Sequence, residues 1–138
     1  MASAEELVRH IQEHRGYVYP YQEFLAKEDP EFLEAQYRMY EIIRRPRALP
    51  QQYKELLFVI VSVAKLHEPG MRTHITKALK LGATKEELIE TMEVADVLCG
   101  GHSKVSGFRV LMEVLEGRPV SEHPRWAPGG SQPARQPS

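Results

Sequence analysis

Apolar positions along this chain recur mostly at spacings of three and four, and strict alternation is scarce. That periodicity predicts helices and leaves little room for strands. Ser3 with Glu6 fits a capping box that opens a first helix running to about His14. Gly16 to Tyr21 (Gly-Tyr-Val-Tyr-Pro-Tyr) reads as an aromatic loop. Asp29-Pro30 places an N-cap residue before a first-turn proline. Leu33, Tyr37, Tyr40 and Arg44 follow at helical spacing, and Pro46 ends that helix. Pro50 opens the next, from Gln51 to about Leu66. Its run Leu56 to Val61 also fits a buried strand, but its length and the polar Gln-Gln-Tyr-Lys-Glu lead-in favour a helix buried nearly all round. Pro69-Gly70 separates it from a helix ending at Gly82, a C′ glycine. Thr84 and Glu87 form a second capping box ahead of the stripe Leu88, Met92, Ala95 and Cys99. Gly100-Gly101 is a hinge, and Val105, Phe108, Met112 and Leu115 mark a last helix. An all-α domain with short connections is the expected architecture.

The pattern stops near Gly117. Residues 117–138 hold five of the ten prolines, and their sizeable apolar groups are Val120 and Trp126. Such a segment buries too little surface to offset its ordering entropy. The expectation is a helical domain over residues 1–116 and a Pro/Gly-rich disordered tail over 117–138. The whole chain has 138 residues, one domain's worth.

Charge and cysteine content narrow the function classes. Eighteen Lys and Arg against nineteen Asp and Glu leave a net charge of −1, without the basic excess of a nucleic-acid binder. The single cysteine, Cys99, excludes an internal disulfide framework and any CxxC redox pair. The longest apolar run is too short to span a bilayer. The acidic N-terminus lacks the apolar core of a signal peptide. A cytoplasmic protein without nucleic-acid or membrane partners is expected.

The densest polar cluster is His67-Glu68-Pro69-Gly70-Met71-Arg72-Thr73-His74, at a helix start. With Pro69 as the first helical residue, Glu68 falls near the N-cap. The N–H groups of Gly70 and Met71 then remain to attract an anion. His74 follows Gly70 by four residues, one turn in on the same face, where an imidazole suits proton transfer. The competing reading makes Glu68 a helix cap and His74 a half-buried packing residue. His67, Glu68, His74 and His102 are metal-ligand types, but no HExxH or tight Cys/His spacing joins them, so no metal is expected. Cys99 falls on an apolar stripe and reads as inert packing. Arg44, Arg45 and Arg47 read as a solvated turn.

Three stretches carry a family resemblance: Lys54-Glu55-Leu56, His74-Ile75-Thr76-Lys77-Ala78-Leu79, and Gly82-Ala83-Thr84-Lys85-Glu86-Glu87-Leu88-Ile89-Glu90. Together with the later Gly-Gly and Phe108-Arg109, they resemble the carboxymuconolactone decarboxylase family, which includes the AhpD-like alkylhydroperoxidases. The resemblance covers about Leu49 to Glu116. It implies an AhpD-like helical bundle of about six to seven helices, assembled as homo-oligomeric trimers or hexamers. The peroxidase branch carries Glu-x11-Cys-x2-Cys-x3-His. Counted from Glu55, its cysteine positions are His67 and Gly70, and its histidine is His74. Thiol–disulfide turnover needs both thiols, so that activity is excluded.

The decarboxylase branch is similar in keeping a Glu six residues before the His, here Glu68 before His74. It implies a cofactor-independent lyase acting on a small carboxylated lactone or related aromatic ring-cleavage product. Loss of CO₂ leaves electrons that a conjugated lactone delocalises, and the carbon then takes a proton. His74 is the candidate general acid/base, with Glu68 or Glu55 orienting it. Arg72, His67 and His102 are candidates for holding the carboxylate substrate. The alternatives are a non-catalytic small-molecule binding or assembly protein on the same fold, and another proton-transfer enzyme such as an isomerase or hydratase. His67, Pro69-Gly70 and His102 depart from the decarboxylase pattern.

Overall fold

Two capping boxes, three early-turn prolines and left-handed glycines at Gly16, Gly82 and Gly117 set most of the helix boundaries. The computed structural model describes residues 3–122. Seven helices and no strand occur among the described residues: α1 (Ala4–Arg15), α2 (Pro20–Glu28), α3 (Pro30–Arg44), α4 (Gln51–Ala64), α5 (Glu68–Lys80), α6 (Lys85–Cys99) and α7 (Gly101–Glu116). The Ser3–Glu6 and Thr84–Glu87 boxes form as expected, with each side chain meeting the other residue's backbone N–H. The Asp29 side chain accepts from Phe32 N–H and caps α3 at 3.0 Å. One such cap stabilises a helix by about 1 kcal/mol.

The sequence reading placed a loop over Gly16 to Tyr21, yet α2 begins inside it at Pro20. Proline at the first helical position costs no hydrogen bond, because that N–H has no helical partner anyway. The buried Gln22 side chain reaches back to accept from Tyr19 N–H at 2.9 Å, which fixes the start.

The chain divides after Ala48 into two compact units. In the first, each of α1, α2 and α3 touches the other two. Leu7, Ile11, Ala26, Leu33 and Tyr37 form its core. In the second, α4 packs against α5, α6 and α7, and α7 also meets α5 and α6. Its core holds Val59, Val63, Met71, Ile75, Leu88, Met92, Val110 and Leu111. Burying each of the larger of these contributes roughly 1.5–3 kcal/mol. Gly107 permits a close helix approach there. A Cβ at that position would lie 3.2 Å from Met92 Sδ and 3.3 Å from both Val63 methyls.

The α4–α5 turn positions the polar cluster. It is a Schellman motif, with Leu66 N–H bonded to Val63 O (3.0 Å) and His67 N–H to Ser62 O (2.9 Å). The left-handed C′ residue is Leu66, at φ 52°, where glycine is the usual choice. The α5–α6 turn repeats the motif with Gly82 at φ 94°, the C′ glycine read from the sequence.

Cys99 is partly buried against the second core. Residues 117–122 run alongside α7: Val120 N–H donates to Glu113 (3.0 Å) and Arg109 Nε to Glu122 (2.7 Å). The rest of the segment read as a tail, including Trp126, lies outside the described residues.

Candidate functional site

A buried carboxylate on α4 meets an imidazole on α5. Glu55 has 2% of its side chain exposed and His74 17%. Glu55 Oε2 lies 2.6 Å from His74 Nδ1, a charge-assisted distance. An ionised carboxylate only accepts, so His74 Nδ1 carries the proton and donates it. Nε2 is then the nitrogen left for other chemistry. Gln51, one turn before Glu55, donates Nε2–H to Glu55 Oε1 at 2.9 Å. Gln51 Oε1 is buried and has no hydrogen-bond partner among the described residues. The Phe58 ring packs on the imidazole, with centroids 4.9 Å apart and planes inclined at 31°. Gln51, Glu55 and Phe58 recur at four and three residues, so one face of α4 supplies all three.

Glu68 belongs to a different constellation. It precedes His74 by six residues, about 240° of helix rotation, so the two side chains leave α5 on different faces. Glu68 pairs instead with Arg109 of α7. Arg109 also meets Glu113 (3.1 Å) and Glu122 (2.7 Å), and Arg72 pairs with Glu113. The Glu68 hydrogen bond, with those to Glu113 and Glu122, holds the Arg109 guanidinium more firmly protonated than usual. Hydrogen bonds from Val120 N–H and then Arg72 lower the Glu113 carboxyl to about 2. Arg72 stands two residues before His74, about 200° around α5, and its guanidinium is committed to Glu113.

The structure corrects the expected anion site at the start of α5. His67, not Glu68, is the N-cap. Its ring Nδ1 accepts from Gly70 N–H and its carbonyl accepts from Met71 N–H, both at 3.1 Å. Those are the two donors expected to be open, and both are satisfied internally. Gly70 leaves room for this cap, since a Cβ would lie 2.6 Å from His67 Nδ1 and 2.7 Å from Ser62 Oγ and force those side chains to shift. His67 and Gly70 occupy the positions where the peroxidase pattern has cysteines; here a single N–H···N bond joins them. His102 lies in the first turn of α7 and is exposed.

Thus Glu55 and His74 are brought together, while Glu68 and Arg72 share a separate ion-pair network and His67 caps a helix. Gln51 and Lys77 escaped the sequence reading. Lys77 follows His74 by three residues on the same side of α5, and its ammonium nitrogen is buried. The i,i+4 spacing of Gln51 before Glu55, and i,i+3 of Lys77 after His74, are the signals that point to them.

A family model described as the carboxymuconolactone decarboxylase family matches residues 30–113. A solved structure of a candidate carboxymuconolactone decarboxylase from Burkholderia xenovorans LB400 superposes with a TM-score of 0.70 at 21% identity, covering 83% of this chain and 92% of that one. At that identity the likeness is one of fold. The apo form of a carboxymuconolactone decarboxylase family protein from Legionella pneumophila gives a TM-score of 0.61 at 26% identity, covering 82% of this chain and 95% of that one. No curated protein matches the chain.

Proposed function

Given that the chain belongs to the carboxymuconolactone decarboxylase family, we propose that it is a cofactor-independent lyase that decarboxylates a small carboxylated lactone or related ring-cleavage product. The observation that carries this reading is the 2.6 Å contact between buried Glu55 and His74. Glu55 fixes the ring orientation and the tautomer, leaving Nε2 to exchange a proton with substrate. The C–C bond to the carboxylate breaks, CO₂ departs, and the electron pair spreads into the conjugated lactone. Nε2, having taken a proton from solvent to give an imidazolium whose Nδ1–H stays hydrogen-bonded to Glu55, passes that proton to the carbon, and solvent restores it. Gln51 and Phe58 hold the pair in place. Lys77 supplies the cation for a substrate carboxylate from the His74 side of α5, the role that Arg72 was expected to fill.

Assembly into a homo-oligomer accompanies this reading. Val97 and Leu98 on α6 are 83% and 79% exposed, and Tyr53, Leu57 and Val61 form an exposed stripe at i, i+4, i+8 on α4. Exposed apolar faces of this kind mark interaction sites, and packing against another subunit would cover them. No helix among the described residues is long and apolar enough to cross a membrane.

The deciding experiment is ultraviolet-monitored turnover of carboxymuconolactone by the wild type and by His74→Ala. Turnover by the wild type, lost by at least a hundredfold in the variant, is expected. No turnover by the wild type removes the decarboxylase reading. Equal turnover by both removes His74 from the mechanism.

A further inference from the structure

The first unit holds a polar cluster that proton transfer at Glu55 and His74 does not use. His10 and His14 stand four residues apart on α1, so they project from one face at successive turns. Their ring centroids are 4.1 Å apart. Glu41 approaches from α3, with Oε1 3.8 Å from His10 Nε2. One ligand atom from each of the three side chains lies within 4.8 Å of the other two. Tyr37, buried in the core of this unit, packs edge-on against the His10 ring at 5.3 Å. That contact holds the ring facing α3.

A surface ion pair of this kind contributes little by itself. The two imidazoles, inclined at 41°, repel when both are protonated. The donor set, however, matches a metal site. Two imidazoles and a carboxylate hold zinc in three-ligand sites that keep a fourth position open. Tetrahedral ligands 2.0–2.1 Å from zinc stand roughly 3.3 Å from one another. His10 and His14 are exposed and Glu41 is half-buried, so small side-chain rotations close the remaining ångström or so. Imidazole nitrogen also selects zinc, nickel or cobalt over magnesium and calcium, which want oxygen ligands.

Access favours the same conclusion. A groove of about 480 Å³ opens beside His10 and Glu41. Glu6, Glu13 and Glu34 line it against Arg9, Arg38 and Arg45, so with Glu41 the carboxylates number four against three guanidiniums. Arg15 and Arg44 border a second groove beside His14 and Glu41, and their charge tempers the affinity.

We propose that His10, His14 and Glu41 bind a divalent ion of the zinc class, which ties α1 to α3 and leaves a coordination position open to water in the groove. The test uses the tag-free full chain and titrates Zn²⁺ and Mg²⁺ by calorimetry, with thermal unfolding in parallel. His67, His74, His102, His123 and Cys99 remain in every variant, so any binding to them is common background. The expected result is one equivalent of zinc bound, no response to magnesium, and a zinc-dependent rise in unfolding temperature. His14→Ala and Glu41→Gln each weaken zinc binding tenfold or more and abolish the rise, while keeping the wild-type helical circular dichroism. Failure of the wild type to bind zinc, or unchanged affinity in both variants, overturns the proposal. Neither result touches the decarboxylase reading, whose residues lie in the other unit.

Discussion

Glu55→Gln separates catalysis from stability at the proposed centre. Glutamine keeps the shape of the side chain and one acceptor oxygen but removes the charge. The 2.6 Å bond to His74 is charge-assisted. Such bonds contribute about 1.5–3 kcal/mol, against about 0.5–1.5 kcal/mol for a neutral one. The loss is therefore about 1–1.5 kcal/mol. Burying the carboxylate at 2% exposure carries its own cost, which glutamine relieves. Unfolding free energy should thus fall by no more than about 1.5 kcal/mol, read from urea melts. Turnover should fall much further. A positioned acid/base supplies roughly 10²–10⁴ in rate, and a neutral partner stabilises the imidazolium poorly. The assay is initial-rate decarboxylation at saturating lactone, paired with ¹⁵N shifts of the imidazole that report which nitrogen carries the proton. Wild-type turnover within twofold, with folding intact, would refute a catalytic dyad. A stability loss above about 4 kcal/mol with unchanged turnover per folded molecule would make the pair a structural element.

Other expectations follow from the same geometry. Gly70→Ala should destabilise the chain by about 1–3 kcal/mol, because its Cβ would collide with His67 and Ser62. Gly101→Ala, with nothing within 4 Å of the new Cβ, should be neutral or stabilising by about 0.4–1 kcal/mol; denaturant melts of both variants check the contrast. Glu113 has a folded pKa of about 2 against an ordinary 4.5, so its contribution is complete above pH 4.5 and disappears as pH falls toward 2. Glu113→Gln should flatten that part of the stability–pH curve, and an unchanged slope would show that the Arg72 and Val120 contacts do not persist in solution. Val97→Asp with Leu98→Asp should shift light-scattering mass toward the monomer if α6 packs against another subunit; an unaltered mass places the interface elsewhere.

Helix boundaries were legible because their signals are local. Ser3, Asp29 and Thr84 bond to N–H groups within three residues, and Gly82 needs only its own backbone to be left-handed. The α2 start was missed for the opposite reason. Gly-Tyr-Val-Tyr-Pro-Tyr looks like a loop until the buried Gln22 side chain returns to Tyr19. The end of α4, expected near Leu66, falls at Ala64, and the left-handed leucine that closes the turn carries no sequence mark. Its conformation is held by the turn's two hydrogen bonds.

The site divides in the same way. Residue types and the spacing of Glu55 and His74 were readable, and the lost cysteines followed from counting alone. Which carboxylate serves His74 was not readable, because Glu68 is nearer in sequence and Glu55 is nineteen residues away. Helix rotation turns Glu68 toward α7, and packing of α4 on α5 brings Glu55 into contact. His10 and His14 announce a shared helix face by their spacing, yet Glu41 joins them only when α3 folds against α1. The sequence by itself therefore determined an all-helical chain, its caps, its family and the absence of a cysteine pair, since each depends on residues close together or on composition. Tertiary structure alone decided which charges neutralise one another, because ion pairs form between helix faces whose rotation and approach are set by the core.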